Sequence, residues 1–166
     1  MSELGAAGTS SEDEGSSRAE RALDDLFEHA GSAAPHELPR FVAHAAVALG
    51  ALETMVHLVD LQQVSLTPFP GPPTAGASTR PAPLSIDSTI AGRAYQHDEV
   101  IVQPGPDAGS PVTVWLPLRD GADRLGVLSV AVADDAAVAE PDSRLSRLLR
   151  RLAAIVSDLV ALRTQY

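Results

Sequence analysis

Cysteine and lysine are both missing from the 166 residues. Without a thiol there is no thiolate catalysis, no disulfide, no sulfur-ligated metal and no thioether-linked cofactor. Without lysine there is no Schiff base, no phosphate-loop lysine and no kinase-type lysine. Aromatic residues are scarce as well, at 4%, with a single Trp. No apolar run approaches the roughly 18 residues that a membrane helix needs. The N-terminus is acidic rather than basic and then greasy, which argues against a secretory signal and leaves the cytoplasm as the expected compartment. Positive charge is short: 12 basic residues, all arginine, face 22 acids, for a net charge of −10. That balance disfavours a nucleic-acid partner. What remains is 45% hydrophobic, enough to build one core in a chain of single-domain length.

The first 28 residues hold eight acids against two arginines. Within them, residues 1–16 offer little to bury and read as a disordered acidic tail. Residues 17–166 read as a single domain. Ser17 and Glu20 fit a capping box, and Ala19, Ala22, Leu23, Leu26, Phe27 and Ala30 recur at helical spacing up to Gly31. A second helix starts near Pro35, with Leu38, Val42, Ala45 and Leu49 on one stripe, and Gly50 closes it. Each has one apolar face and needs a sheet or another helix to cover it.

The periodicity then shifts to strands. Residues 54–60 and 63–69 suggest a hairpin. Residues 68–83 hold six prolines and two glycines, which predicts a long loop inside the domain. A short helix capped by Asp87 or Ser88 follows, with Ile90, Ala91, Ala94 and Tyr95 facing inward, and then a brief strand over 100–103. Residues 112–118 and 125–133 are the strongest strand pair, joined through Asp120-Gly121. Pro117 demands an edge, a bulge or an irregularity in the first of them. A long helix over 142–163 ends the chain. Its seam of Leu145, Leu149, Leu152, Val156 and Leu159 is heptad-like, and a second stripe runs Leu148, Ile155 and Leu162. The combined stripe is wider than docking on a sheet requires. The surplus is expected to meet the N-terminal helix or a second subunit, with the seam as the candidate dimer interface. Helices at both ends of antiparallel hairpins indicate an α+β class, one antiparallel sheet with the terminal helices on one face.

Three segments carry a family resemblance. They are Ser85-Ile86-Asp87-Ser88-Thr89-Ile90-Ala91-Gly92-Arg93-Ala94-Tyr95, then Val114-Trp115-Leu116-Pro117-Leu118-Arg119-Asp120-Gly121, then Arg124-Leu125-Gly126-Val127-Leu128-Ser129-Val130. Together they resemble a GAF domain: a short helix with a small-residue step, a strand ending in Pro-Leu, a turn, a Gly-Val-Leu strand and a long exit helix. The wording looks most like GAF domains placed ahead of PPM-type serine phosphatase modules in high-GC bacterial signalling proteins, and it covers residues 38–166. The resemblance implies a PAS- or profilin-like antiparallel sheet, helices on one face, a ligand pocket on the other, and a sensory role. A phosphatase module, in cis or in trans, is the implied partner, and a sensory fragment or a stand-alone GAF protein is expected. The Asn-Lys-Phe-Asp-Glu signature of cyclic-nucleotide-binding relatives is excluded by the missing lysine. Cysteine-linked bilin binding and GAF-type methionine sulfoxide reductase chemistry are excluded by the missing cysteine.

Chemistry-bearing residues are few. His29, His36 and His44 fall at helix breaks or off the apolar stripe, and no pair of histidines has the spacing of a zinc-protease helix. His57, alternating with Met55 and Val59, and His97, after the short helix, fall near the implied pocket. Arg93 on the short helix suits an anionic ligand, and Trp115 suits a pocket wall or a core position. No nucleophile elbow and no glycine-rich phosphate cradle is present, so no enzymatic activity and no metal are expected. The leading expectation is a non-catalytic sensory domain, possessing a small-molecule pocket and relaying through a dimeric C-terminal helix. The alternatives are a ligand-free dimerisation or docking module, and a haem or tetrapyrrole sensor using His57 or His97.

Overall fold

Six strands hydrogen-bond into one antiparallel sheet, with Leu84–Ser85 at one edge, Ile101–Gln103 at the other, and Asp123–Val132 between Glu53–Val59 and Val112–Asp120. The computed structural model describes residues 7–69 and 81–164. In chain order these form α1 (Ala7–Ala30), a 3-10 turn (Pro35–Glu37), α2 (Leu38–Ala48), β1 (Glu53–Val59), β2 (Ser65–Pro68), β3 (Leu84–Ser85), α3 (Ile90–His97), β4 (Ile101–Gln103), β5 (Val112–Asp120), β6 (Asp123–Val132), α4 (Ala136–Ala139) and α5 (Arg144–Thr164). The antiparallel α+β architecture expected from the hairpins is the one observed. Most of the loop expected over residues 68–83 lies outside the described residues. Among the described residues, no helix is long and apolar enough to cross a membrane.

Strand alternation divides the side chains between two layers. Val112, Val114, Leu116 and Leu118 of β5, Leu128, Val130 and Val132 of β6, and Val56 of β1 point to one face. There α2 and α5 cover them, and α1 packs on both helices. The opposite face carries α3 and a smaller cluster of Leu66, Ile86, Ala91, Ala94, Tyr95 and Val127. Pro117 is tolerated because β4 pairs with β5 only as far as Trp115, so no neighbour requires its missing N–H. The expected irregularity follows at once, as a register shift between Leu118 and Arg119. Gly50 closes α2 at φ +96°, a conformation that other residues rarely adopt.

Two expectations are corrected. The helix expected from Ser17 begins at Ala7, so residues 7–16 are helical rather than a disordered tail. Glu12, Asp13 and Glu14 lie beyond its first turn, which holds no acid. The heptad-like seam of α5 is not a free surface. Leu149, Leu152, Val156 and Leu159 are each 0% exposed, and Leu145 is half-buried against the same core. Their spacing serves equally well to seat a helix on its own sheet, and here it does so. The neighbouring stripe lies beside α1. Arg151 of α5 pairs with Glu20 and with Asp24 of α1, the latter at 3.1 Å, and Arg163 donates to the carbonyls of Ala30 and Ala33. The two helices therefore run parallel.

Candidate functional site

On the face away from α1, α2 and α5, the ladder sets His57 of β1 opposite Val127 of β6, and Trp115 of β5 opposite Ser129. His57 and Trp115 thus flank β6 on the same side of the sheet. Their ring centroids are 6.1 Å apart and tilted by 50°. Met55, Thr113, Gln103 and Ala131 share that side and are half-buried, as is Trp115. The backbone is tight at this point: a Cβ on Gly126 would lie 1.9 Å from the carbonyl oxygen of His57, so β1 and β6 meet here only through glycine.

His57 is 4% exposed, and its Nδ1 has no hydrogen-bond partner among the described residues. Burial lowers its pKa below the usual 6.5, which favours the neutral ring. The Trp115 indole N–H donates to Gln103 Oε1 at 2.8 Å, leaving the indole face as its unused surface.

The short helix α3 roofs one end of this strip. Thr89 caps it, its hydroxyl accepting from the Gly92 N–H at 3.0 Å and donating to the Ser85 carbonyl. Close docking explains the small-residue step in the sequence, since a Cβ on Gly92 would lie 1.9 Å from the Ile86 carbonyl oxygen. Tyr95, on the inner face of α3, is buried, which raises its phenol pKa above the usual 10. The helix ends at Asp98, whose left-handed backbone (φ 53°) ties its N–H to Ala94 and brings its carboxylate to the Arg119 guanidinium. Freed by the shift in β5, the Arg119 backbone N–H donates to Ser157 Oγ of α5 at 3.1 Å, and that hydroxyl donates to the Ala153 carbonyl at 2.8 Å. One residue therefore touches both the roof helix and the exit helix.

Of the expected pocket residues, His57 and Trp115 are brought together. Arg93 and His97 lie exposed on the outer side of α3, away from that ring pair. Sequence reasoning missed Gln103 and the Asp98–Arg119–Ser157 bridge. Gln103 shares the alternation that places Ile101 inward, a signal available in the sequence. The bridge depends on a bulge and two distant segments and leaves no local signal. Among the described residues, no group of three or more His, Asp or Glu side chains stands close enough to hold a metal. A hollow of about 530 Å³ lies on the opposite layer, lined by Ala19, Val47, Leu49, Leu145 and Leu148. Ser143 and Arg144 also line it, and His57 does not.

With this geometry in place, the fold can be compared with solved ones. The chain has the GAF fold. It is similar to the GAF domain of a phosphoenolpyruvate-protein phosphotransferase from Coxiella burnetii (TM-score 0.71, 13% identity), covering 89% of this chain and 95% of that one. The corresponding domain from Acinetobacter gives 0.65 at 13% identity, covering 88% and 94%. The free methionine-R-sulfoxide reductase of Neisseria meningitidis, solved with its substrate, gives 0.62 at 18% identity, covering 89% and 90%. No protein-family model and no curated protein matches the sequence. GAF domains are generally sensory or regulatory, and the reductase is a GAF-fold enzyme.

Proposed function

We propose that this chain is a non-catalytic sensory GAF domain of a bacterial cytoplasmic signalling protein. A small molecule binds on the strip bearing His57 and Trp115, and its arrival is relayed to α5. The observation that carries this reading is Arg119, which holds the C-terminus of α3 through Asp98 and α5 through Ser157. A ligand that shifts α3 alters the support of the exit helix through one residue, and a differential affinity for the two poses is all that a sensor needs. The absence of cysteine supports the non-catalytic reading, because thiol chemistry of the reductase kind has no nucleophile here. A PPM-type serine phosphatase module is the proposed recipient of the signal.

The relay is tested by amide hydrogen exchange. Ser157→Ala removes the acceptor of the Arg119 N–H, and exchange is expected to quicken a few-fold at Arg119 and at the α3 terminus around Asp98 and Glu99. Asp98→Asn is expected to loosen Arg119 and the α5 amides near Ser157. Changes confined to the substituted element overturn the relay.

Homodimerisation is proposed through the outer stripe of α1 and α5 rather than the buried seam. Leu162 is 54% exposed and Phe27 51% exposed, while Leu148 and Ile155 are half-buried. Phe27 shares a helical stripe with Glu20 and Asp24, the acids that reach Arg151 between Leu148 and Ile155. The Ile155→Glu, Leu162→Glu pair is expected to halve the mass in light scattering with the helical spectrum retained; a wild-type monomer refutes it. A ligand-free docking module is the second reading. It is favoured by Leu66, Ile86, Tyr95 and Val127, which already fill the α3 end of the face. The haem reading fits less well, since His97 is exposed outside the strip.

A further inference from the structure

The strip's chemistry narrows what it can hold, given the ligand-binding reading just proposed, on which this inference rests. We infer that the ligand is an uncharged planar heteroaromatic molecule, lying against the Trp115 indole and hydrogen-bonded to His57 Nδ1.

Three features carry this. His57 is a buried polar side chain whose Nδ1 lacks a partner among the described residues, a costly state that a bound molecule relieves. In a neutral imidazole Nδ1 is a donor in one tautomer and an acceptor in the other. A heteroaromatic ring presents both N–H and bare nitrogen on its edge, so it can meet either. Next, the indole N–H of Trp115 is already spent on Gln103, so what the indole offers a ligand is its π face, which selects a flat ring. Finally, the alternation leaves Met55, His57, Ser129, Ala131, Thr113, Trp115 and Gln103 on this side, all uncharged at neutral pH when His57 is neutral. Glu53, exposed at the far end of β1 on the same side, adds a negative charge at the rim. A phosphate or carboxylate placed among these seven side chains loses its water and gains no counter-charge from them; Arg124, whose charge acts on Tyr95, stands exposed at the α3 end instead. Arg93, the cation expected to hold an anion, is turned to solvent on α3.

Trp115 is the only tryptophan in the chain, so its fluorescence reports on the strip without a label. Four probes are titrated into the intact protein: adenine and lumichrome, which are neutral, and AMP and FMN, their anionic counterparts. At least one neutral probe is expected to quench Trp115 saturably and to bind about tenfold or more tighter than its phosphorylated counterpart. His57→Phe, which keeps a ring but removes the nitrogen, is expected to weaken that binding about tenfold, the effect of one lost hydrogen bond to a buried partner. Trp115→Leu, followed through lumichrome's own emission, is expected to weaken it comparably and serves where His57→Phe does not fold. Tighter binding of AMP or FMN overturns the uncharged class while leaving a ligand site on this face. Unchanged affinity in the folded variants overturns the assigned contacts. Absence of quenching by both neutral probes overturns the class, and the relay through Arg119 then stands or falls on its own exchange experiment.

Discussion

Truncation of Leu152 separates a core helix from a subunit seam. Leu152 is 0% exposed, and the cluster around it includes Leu149, Val156 and Leu159 of its own helix, side chains of β5 and β6 beneath, and α1 alongside. With a sheet on one side and a helix on another, the surroundings collapse little into the space that Leu152→Ala vacates. The loss then falls in the upper half of the roughly 2–5 kcal/mol range for buried leucine truncations. For a domain of this size each kcal/mol moves the melting temperature by about 2–4 °C, so a fall on the order of 10 °C is expected. Val47→Ala is the control. Val47 is 64% exposed on α2, and its truncation is expected to stay within about 0.5 kcal/mol. Urea unfolding followed by circular dichroism measures both, with the slope unchanged if only the native packing is altered. A core residue lowers stability at every protein concentration, whereas a seam residue makes the loss concentration-dependent and changes the mass. A Leu152→Ala variant that loses less than about 1 kcal/mol while dissociating a dimer refutes the packing described for α5.

The other predictions concern the strip and its supports. Because burial lowers the His57 pKa, the unfolded chain binds the proton more readily than the folded one, so stability is full above about pH 6.5 and declines as pH falls below it. His57→Phe is expected to flatten that part of the stability profile, and an unaltered slope assigns it to other groups. Gly126→Ala places a methyl 1.9 Å from the His57 carbonyl oxygen, so either β1 and β6 part or the chain fails to fold; a melting temperature within a few degrees of the parent contradicts the close approach. Asp60 accepts the Val64 and Ser65 N–H groups at 2.9 and 3.2 Å and the Ser65 hydroxyl at 3.0 Å, bonds that hold its pKa below the usual carboxylate value. Its contribution is present above the unfolded carboxylate range and is lost as pH falls through the lowered folded value. Asp60→Ala is expected to speed amide exchange at Val64 and Ser65, and unchanged rates there discount the turn.

Much of the sheet was legible because its signals are local. Asp120-Gly121 announced a turn, and Gly121 takes φ +58° there, although the strands run closer to it than expected, pairing Arg119 with Arg124 and Asp120 with Asp123. Elements without a local signal were missed. Leu84–Ser85 is a two-residue strand at the end of a proline-rich stretch, and Ala136–Ala139 is a single turn of helix. Residues 10–16 stay largely exposed and show no apolar stripe.

The candidate site follows the same rule at one remove. Alternation along β1 and along β5 places His57 and Trp115 correctly on their own strands. Their meeting, however, depends on β6 inserting between β1 and β5, a pairing set by residues some seventy positions away in the chain. A heptad pattern is ambiguous for a related reason. Leucines at alternating 4-3 spacing define one face of a helix but not what covers it, and a sheet of the same chain competes with a second copy for that face. The sheet has the advantage of being tethered, since closing an intramolecular loop costs only slowly more with length, while a partner must be drawn from solution. The seam nearest the sheet is therefore consumed in folding, and the proposed association between chains falls instead to the stripe left over, Leu148, Ile155 and Leu162 beside Phe27.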